Sequence, residues 1–266
     1  MTDTTKTKHK KIFLIISTIA LLILLCVSAS LGVVSLMCAK PQTQSTKPQP
    51  LSEKDKQNAK IFKFLLDPNT KTYKITKWYG KTDTSISSDI VIPATYRGVY
   101  VTALIDRFIH EGSDRVTSLS FEEGSQFTTI NNYAFIGCTN LISVKLPASL
   151  KTIGHHAFYD CSKLSEFSIA PNSNLKSIGY YCFVRCNGLT TFNFPKSLTQ
   201  IQFSAFVDCS NLTTLTFNST TPPQLGDSQI FDGCTNLTSI FVPAGTAQAY
   251  KQAENWSTIA NLIKEK

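Results

Sequence analysis

The chain has 266 residues, 42% of them hydrophobic and 17% charged, a balance that suits a packed core and excludes a disordered chain. Its net charge of +8 is uneven: residues 1–60 carry nine Lys/Arg against three Asp/Glu, a net of +6, whereas residues 61–266 carry 17 against 15, a net of +2. The folded part is near neutral and lacks the clustered cations of a phosphate-binding surface, so no nucleic-acid partner is expected.

The chain opens with a basic tail, residues 1–11, ending in KTKHKK (6–11). The next 28 residues, 12–39, carry no charge. As a helix they are long enough to cross a hydrocarbon core of about 30 Å, which predicts a transmembrane signal-anchor. The lysines before it place the N-terminus in the cytoplasm and residues 40–266 outside. The alternative is a secreted protein, released by signal cleavage near residue 30 after VSAS (27–30); the apolar run that continues through LGVVSLM (31–37) favours the anchor. KPQTQSTKPQP (40–50) reads as an extended linker. Residues 51–84 read as an N-terminal helix and capping region: Ser52 and Asp55 resemble a capping box opening a helix over 51–66, which DPNT (67–70) ends.

A repeat then fills residues 85–243. AFIGCTNL (134–141), AFYDCSKL (157–164), CFVRCNGL (182–189), AFVDCSNL (205–212) and IFDGCTNL (230–237) share one frame. Phe135, Phe158, Phe183, Phe206 and Phe231 are spaced 23, 25, 23 and 25 residues apart, and the frame cysteines follow the same intervals. Ile130, Ile153, Ile178 and Ile201 stand five residues before four of those phenylalanines. An earlier, degenerate unit runs over 101–121 without its cysteine. In each unit a short strand, such as Leu141-x-x-Val144-x-Leu146, turns its apolar residues inward. Stacked units then bury one continuous core that no single unit could bury alone. Proline after the strand (Pro147, Pro171, Pro195, Pro243) ends the pairing. TPPQLGDSQ (221–229) departs from the frame and predicts a loosened last coil. Residues 244–266 read as a C-terminal cap.

This frame resembles the BspA-type leucine-rich repeats, a family of surface proteins, and the resemblance covers roughly residues 85–260. It implies an α/β-type repeat solenoid, a leucine-rich repeat with a parallel β-sheet on its concave face. It also implies a cell-surface protein that binds or adheres, with no catalytic residues attached to the repeat.

HHAFYDCSKL (155–164) offers histidine, aspartate and cysteine together, yet Phe158 and Cys161 belong to the frame and His155 and His156 occupy variable turn positions. No nucleophile–base–orienter set and no four converging metal ligands emerge, so no enzyme activity, cofactor or metal is expected. The six repeat cysteines are expected as buried thiols behaving as small hydrophobes. Sequons fall at Asn211, Asn218, Asn236 and Asn255. Binding is expected on the sheet residues that point away from the core: Ser143, Lys145, Glu166, Ser168, Thr191, Asn193, Thr214, Thr216, Ser239 and Phe241. Their hydroxyls and amides suit hydrogen bonding to a protein or a glycan on another surface. The alternative is a structural or self-associating surface protein without a dedicated ligand.

Overall fold

A computed structural model of the chain describes residues 49–109, 113–170 and 172–266. The basic tail, the apolar run 12–39, the linker up to residue 48, His9, His110 and Pro171 lie outside the described residues. Among the described residues, no helix is long and apolar enough to cross a membrane.

Helix α1 (Glu53–Ile61) begins at the capping box: Asp55 N donates to Ser52 Oγ at 3.1 Å, and Ser52 N donates to Asp55 Oδ2 at 3.1 Å. The buried Asp55 also accepts the Arg97 backbone N–H at 2.9 Å, which ties the helix to a later turn. The helix expected to continue to residue 66 ends at Ile61. Phe62–Leu66 is strand β1, which pairs antiparallel with β2 (Tyr73–Trp78). Its alternation of buried Phe62, exposed Lys63, half-buried Phe64 and exposed Leu65 has the period of a strand. DPNT is accordingly the turn of a hairpin, with Lys71 N donating to Asp67 O at 2.9 Å.

The repeats wind two parallel ladders. The longer strands β3 (Asp89–Ile92), β6 (Ser118–Phe121), β8 (Ser143–Leu146) and β10 (Glu166–Ile169) make one four-stranded sheet. β12 (Thr191–Phe194), β14 (Thr214–Phe217), β16 (Ser239–Val242) and β17 (Ile263–Glu265) make another. The second ladder follows from the hairpin. β4 (Thr95–Tyr96) folds back on β5 (Val99–Leu104), and the two-residue strands β7 (Thr129–Ile130), β9 (Thr152–Ile153), β11 (Ser177–Ile178), β13 (Gln200–Ile201) and β15 (Gln224–Leu225) continue from it in register.

Two expectations are corrected here. The single long sheet is interrupted between β10 and β12. At the inward strand position Leu119, Val144, Leu215 and Ile240 fit their coils, but the two adjacent coils in between both carry phenylalanine. Phe167 and Phe192 stack at 5.2 Å across the break, and Phe167 is only half-buried. The α/β class is also corrected. Among the described residues the coils contain no α-helix, only a three-residue 3-10 turn at Ser113–Arg115 in the degenerate unit; α-helices lie before and after the coils, α1 and α2 (Ala247–Gln252). Each return carries left-handed residues that a helix cannot accept. One column of these is Tyr133, His156, Tyr181 and Ser204, with φ of 58°, 55°, 54° and 51°. Gly154 and Gly179 show how closely the coils approach. A Cβ on either would lie 2.7 Å and 2.6 Å from backbone atoms of the preceding coil.

The shared interior is a file of rings. Phe135 stacks on Phe158 at 5.5 Å, Phe158 on Phe183 at 5.5 Å, and Phe183 on Phe206 at 5.0 Å; Phe231 follows at 5.6 Å. Phe108 of the degenerate unit joins the other end at 5.9 Å. Ile130, Ile153, Ile178 and Ile201 line the same core, as do Leu141, Val144 and Leu146.

The last coil is not loosened. Leu225 takes the isoleucine position, β15 pairs in register with β13, and the Asp227 carboxylate accepts from Ser204 N at 3.3 Å and Ser204 Oγ at 3.1 Å. The exposed end of the core is closed by α2 and β17. Trp256 packs on Phe217 at 5.0 Å and Tyr250 at 4.9 Å, and its Nε1–H donates to Pro223 O at 3.1 Å.

All six repeat cysteines are free and buried, but they are more than small hydrophobes. The thiols of Cys161, Cys186, Cys209 and Cys234 donate to the carbonyls of Phe135, Phe158, Phe183 and Phe206, one coil back, at 3.0–3.3 Å. Burial pushes the Cys138, Cys161, Cys182 and Cys186 thiols well above the usual range. A soluble maleimide should therefore leave these six unmodified in the folded chain and label them all in urea. Prompt stoichiometric labelling without denaturant, localised by peptide mass spectrometry, would contradict the buried ladder.

Candidate functional site

Strand register brings the expected binding residues together in two groups. On the first sheet, Ser143 lies beside Glu166 and Lys145 beside Ser168. On the second, Thr191, Thr214 and Ser239 form one row, and Asn193, Thr216 and Phe241 form the next. Lys145, Glu166, Ser168, Thr191 and Asn193 are exposed, while Ser143, Thr214, Thr216, Ser239 and Phe241 are half-buried. The break between β10 and β12 leaves the two groups on separate hydrogen-bonded sheets.

Neighbouring elements modify both rows. The cap places Lys264 beside Phe241 in register, and its ammonium donates to Ser239 Oγ at 2.8 Å, which occupies that hydroxyl. At the other edge Asp89 extends the first group, a residue that the repeat frame does not single out because it lies before the first recognisable unit. Ser118 Oγ and Thr117 Oγ1 donate to its carboxylate at 2.7 and 2.8 Å, and those bonds hold it below the usual aspartate range.

Two cavities flank the rows. One of about 600 Å³ lies at the ends of β6 and β8, lined by Ser120, Glu122, Glu123, Lys145 and Ser149 among others. The other, about 340 Å³, lies at the sheet break between Ile169, Asn193, Pro195, Lys196 and Asn218. Both volumes fall in the range of ligand clefts. Their walls offer carboxylates, amides, hydroxyls and ammonium groups, which orient polar ligands.

The histidines that raise the question of chemistry serve stacking. His155 lies on Tyr180 at 3.5 Å and accepts the Tyr180 backbone N–H through Nδ1 at 3.2 Å. His156 lies on Tyr133 at 4.8 Å. Among the described residues no three His, Cys, Asp or Glu side chains gather as metal ligands would. Burial lowers both imidazoles below the ordinary histidine value, opposed at His155 by Asp106 and reinforced at His156 by His155. A base with a depressed folded pKa contributes stability that is present above its unfolded value, about 6.5, and is lost as pH falls. The thermal midpoint should thus drop between about pH 7 and pH 5, and pairing His155→Phe with His156→Asn should flatten the slope. An unchanged slope in the double variant would contradict this.

The sequon asparagines are occupied as well. The side-chain amides of Asn211, Asn218, Asn236 and Asn255 donate to the carbonyls of Asn187, Phe194, Ser210 and Leu225 at 2.8–2.9 Å.

Comparison with known proteins places these features in a family. The model of the BspA type leucine rich repeat region matches in six copies, over residues 104–238 and 170–263. Among solved structures, a leucine-rich repeat protein of T. pallidum is 22% identical, with a TM-score of 0.58 over 78% of this chain and 96% of that one. A leucine-rich cell surface protein of Faecalibacterium prausnitzii is 24% identical, with a TM-score of 0.48 over 68% of this chain and 53% of that one. No curated protein matches the chain. At these identities the T. pallidum structure supports the fold alone.

Proposed function

The chain belongs to the BspA-type leucine-rich repeat family, and from that premise we propose that it is a non-enzymatic, membrane-anchored surface protein that binds a protein or glycan through the outward faces of its long strands. The observation that carries the reading is the pair of registered polar rows, each with a cavity of ligand size at its edge. Repeat solenoids use such extended faces because neighbouring coils present side chains at regular intervals to a long partner. Anchoring rests on the uncharged run 12–39 and the lysines before it.

The test is an array of host glycans and matrix proteins probed with the full chain. Two variants then separate the rows: Lys145→Ala with Glu166→Ala, and Thr191→Ala with Asn193→Ala and Thr216→Ala. Loss of the captured ligand in one of them, with the unfolding midpoint held, would support the site. Full binding by a protein carrying all five substitutions would overturn it. Protease added to intact cells should remove the repeats; digestion only after lysis would reverse the orientation.

A further inference from the structure

The corner that follows the two-residue strands carries a second ladder, separate from the outward sheet faces. One column stacks outside the core in successive coils: the Arg107 guanidinium lies 4.6 Å from the Tyr133 ring, Tyr133 lies 4.8 Å from His156, and His156 lies 5.1 Å from Tyr181. The chain's own guanidinium thus closes one end of the column. At the other end the column runs out of rings, because the next coil supplies Ser204, whose side chain is small and buried. Tyr181 is left 41% exposed, and Phe203, one residue before Ser204, is 55% exposed.

The coil beyond Ser204 brings a carboxylate to this step. Asp227 reaches back to accept from Ser204 N and Ser204 Oγ, and it also accepts from Gln229 N at 3.2 Å. Among the described residues these donors are all neutral. Arg185, four residues after Tyr181, points its guanidinium at Asp208, with Nε 4.0 Å from the carboxylate. The step therefore combines a tyrosine ring that is partly exposed, a small buried serine in the next coil, a carboxylate whose bonded donors are all neutral, and an exposed phenyl ring at the neighbouring residue.

We propose that this step is a binding site for an arginine side chain presented by a partner protein. A guanidinium is planar, stacks on a tyrosine face and pairs with a carboxylate through a fixed fork of donors. It would repeat at the Tyr181 end the closure that Arg107 provides at the Tyr133 end. Asp227 supplies the charge complement. A lysine ammonium has the charge but not the plane; a sugar ring has a face to stack but no charge for Asp227.

The probe is a short peptide with one arginine between glycines, titrated into the full chain while tyrosine, phenylalanine and Asp227 resonances are followed by NMR. Resonances of Tyr181, Phe203 and Asp227 should move together. The same peptide with citrulline, a neutral isostere, should bind at least about ten-fold more weakly. Tyr181→Asn removes the ring while keeping a residue that accepts the left-handed conformation. Asp227→Asn removes the charge while keeping an acceptor for Ser204. Each should weaken arginine binding by about ten-fold in a chain that remains folded at the temperature of the titration. The proposal is overturned if arginine leaves these resonances unmoved, if citrulline binds equally well, or if a neutral oligosaccharide moves them and arginine does not. If a variant loses its fold, the arginine–citrulline comparison on the unaltered chain decides.

Discussion

Phe183→Ala is expected to lower the stability of the repeat region by about 3–5 kcal/mol, the cost of emptying a fully buried phenylalanine site. The position is central. Phe183 has no exposed surface, stacks on Phe158 and Phe206, and meets Phe167 and Phe192 edge-on at 4.9 and 5.3 Å. Its removal breaks the file at the coil beside the sheet interruption, where the long strands give no ladder hydrogen bonds to compensate. The half-solenoids on either side then share less interface, so the unfolding transition should broaden as well as shift, since stability in stacked repeats is a sum of coil and interface terms. Urea unfolding followed by circular dichroism reads both. Phe203→Ala serves as the control: this ring is 55% exposed, and its loss should change stability by less than about 0.5 kcal/mol. Equal midpoints for the two variants would contradict a stacked interior.

Trp256→Ala should cost a similar amount, about 3–5 kcal/mol, and should also change the association state. Trp256 is fully buried although it lies near the end of the chain. It covers Phe217, supports Tyr250, and satisfies the Pro223 carbonyl that faces the end of the last coil. Tyr250 OH and the Asn255 amide do the same for Ser219 O and Leu225 O, at 2.8 and 2.9 Å. Without the indole the last coil presents an apolar surface and open strand ends, which in solenoids invite end-to-end stacking. Light scattering should report oligomers for the variant at concentrations where the unaltered chain is monodisperse. A monodisperse variant with an unaltered midpoint would remove the capping role.

The repeat frame makes the interior legible because it asks the same thing of every coil. Phenylalanines 23 or 25 residues apart can share a core only if each coil returns to the same place. The corners are less legible. Tyr133, His156, Tyr181 and Ser204 share a left-handed backbone, yet no single residue type holds the position and none is glycine, so composition gives no sign of it. The thiol–carbonyl bonds have a signal, the constant three-residue step from frame Phe to frame Cys, but reading cysteine as a small hydrophobe hides it. The break in the sheet falls where Phe167 and Phe192 follow one another at the first inward strand position, yet Phe194 and Phe217 do the same at the second inward position and their strands stay paired. Whether two such rings fit side by side depends on packing, not on pattern. The outward residues follow from strand alternation once register is fixed. What each hydroxyl is bonded to depends on elements outside the frame, as Asp89 and Lys264 show. The end of helix α1 is missed for a related reason: Lys63, Leu65 and Leu66 suit a helix as well as a strand, and pairing with β2 decides for the strand.

The most direct measurement is a set of ring-to-ring nuclear Overhauser contacts in a chain whose phenylalanines carry residue-specific labels. Consecutive contacts should link Phe108 to Phe135, then Phe158, Phe183, Phe206 and Phe231, each between residues more than twenty positions apart in sequence. A missing contact between Phe158 and Phe183, or a contact that skips a coil, would show that the rings do not form one file.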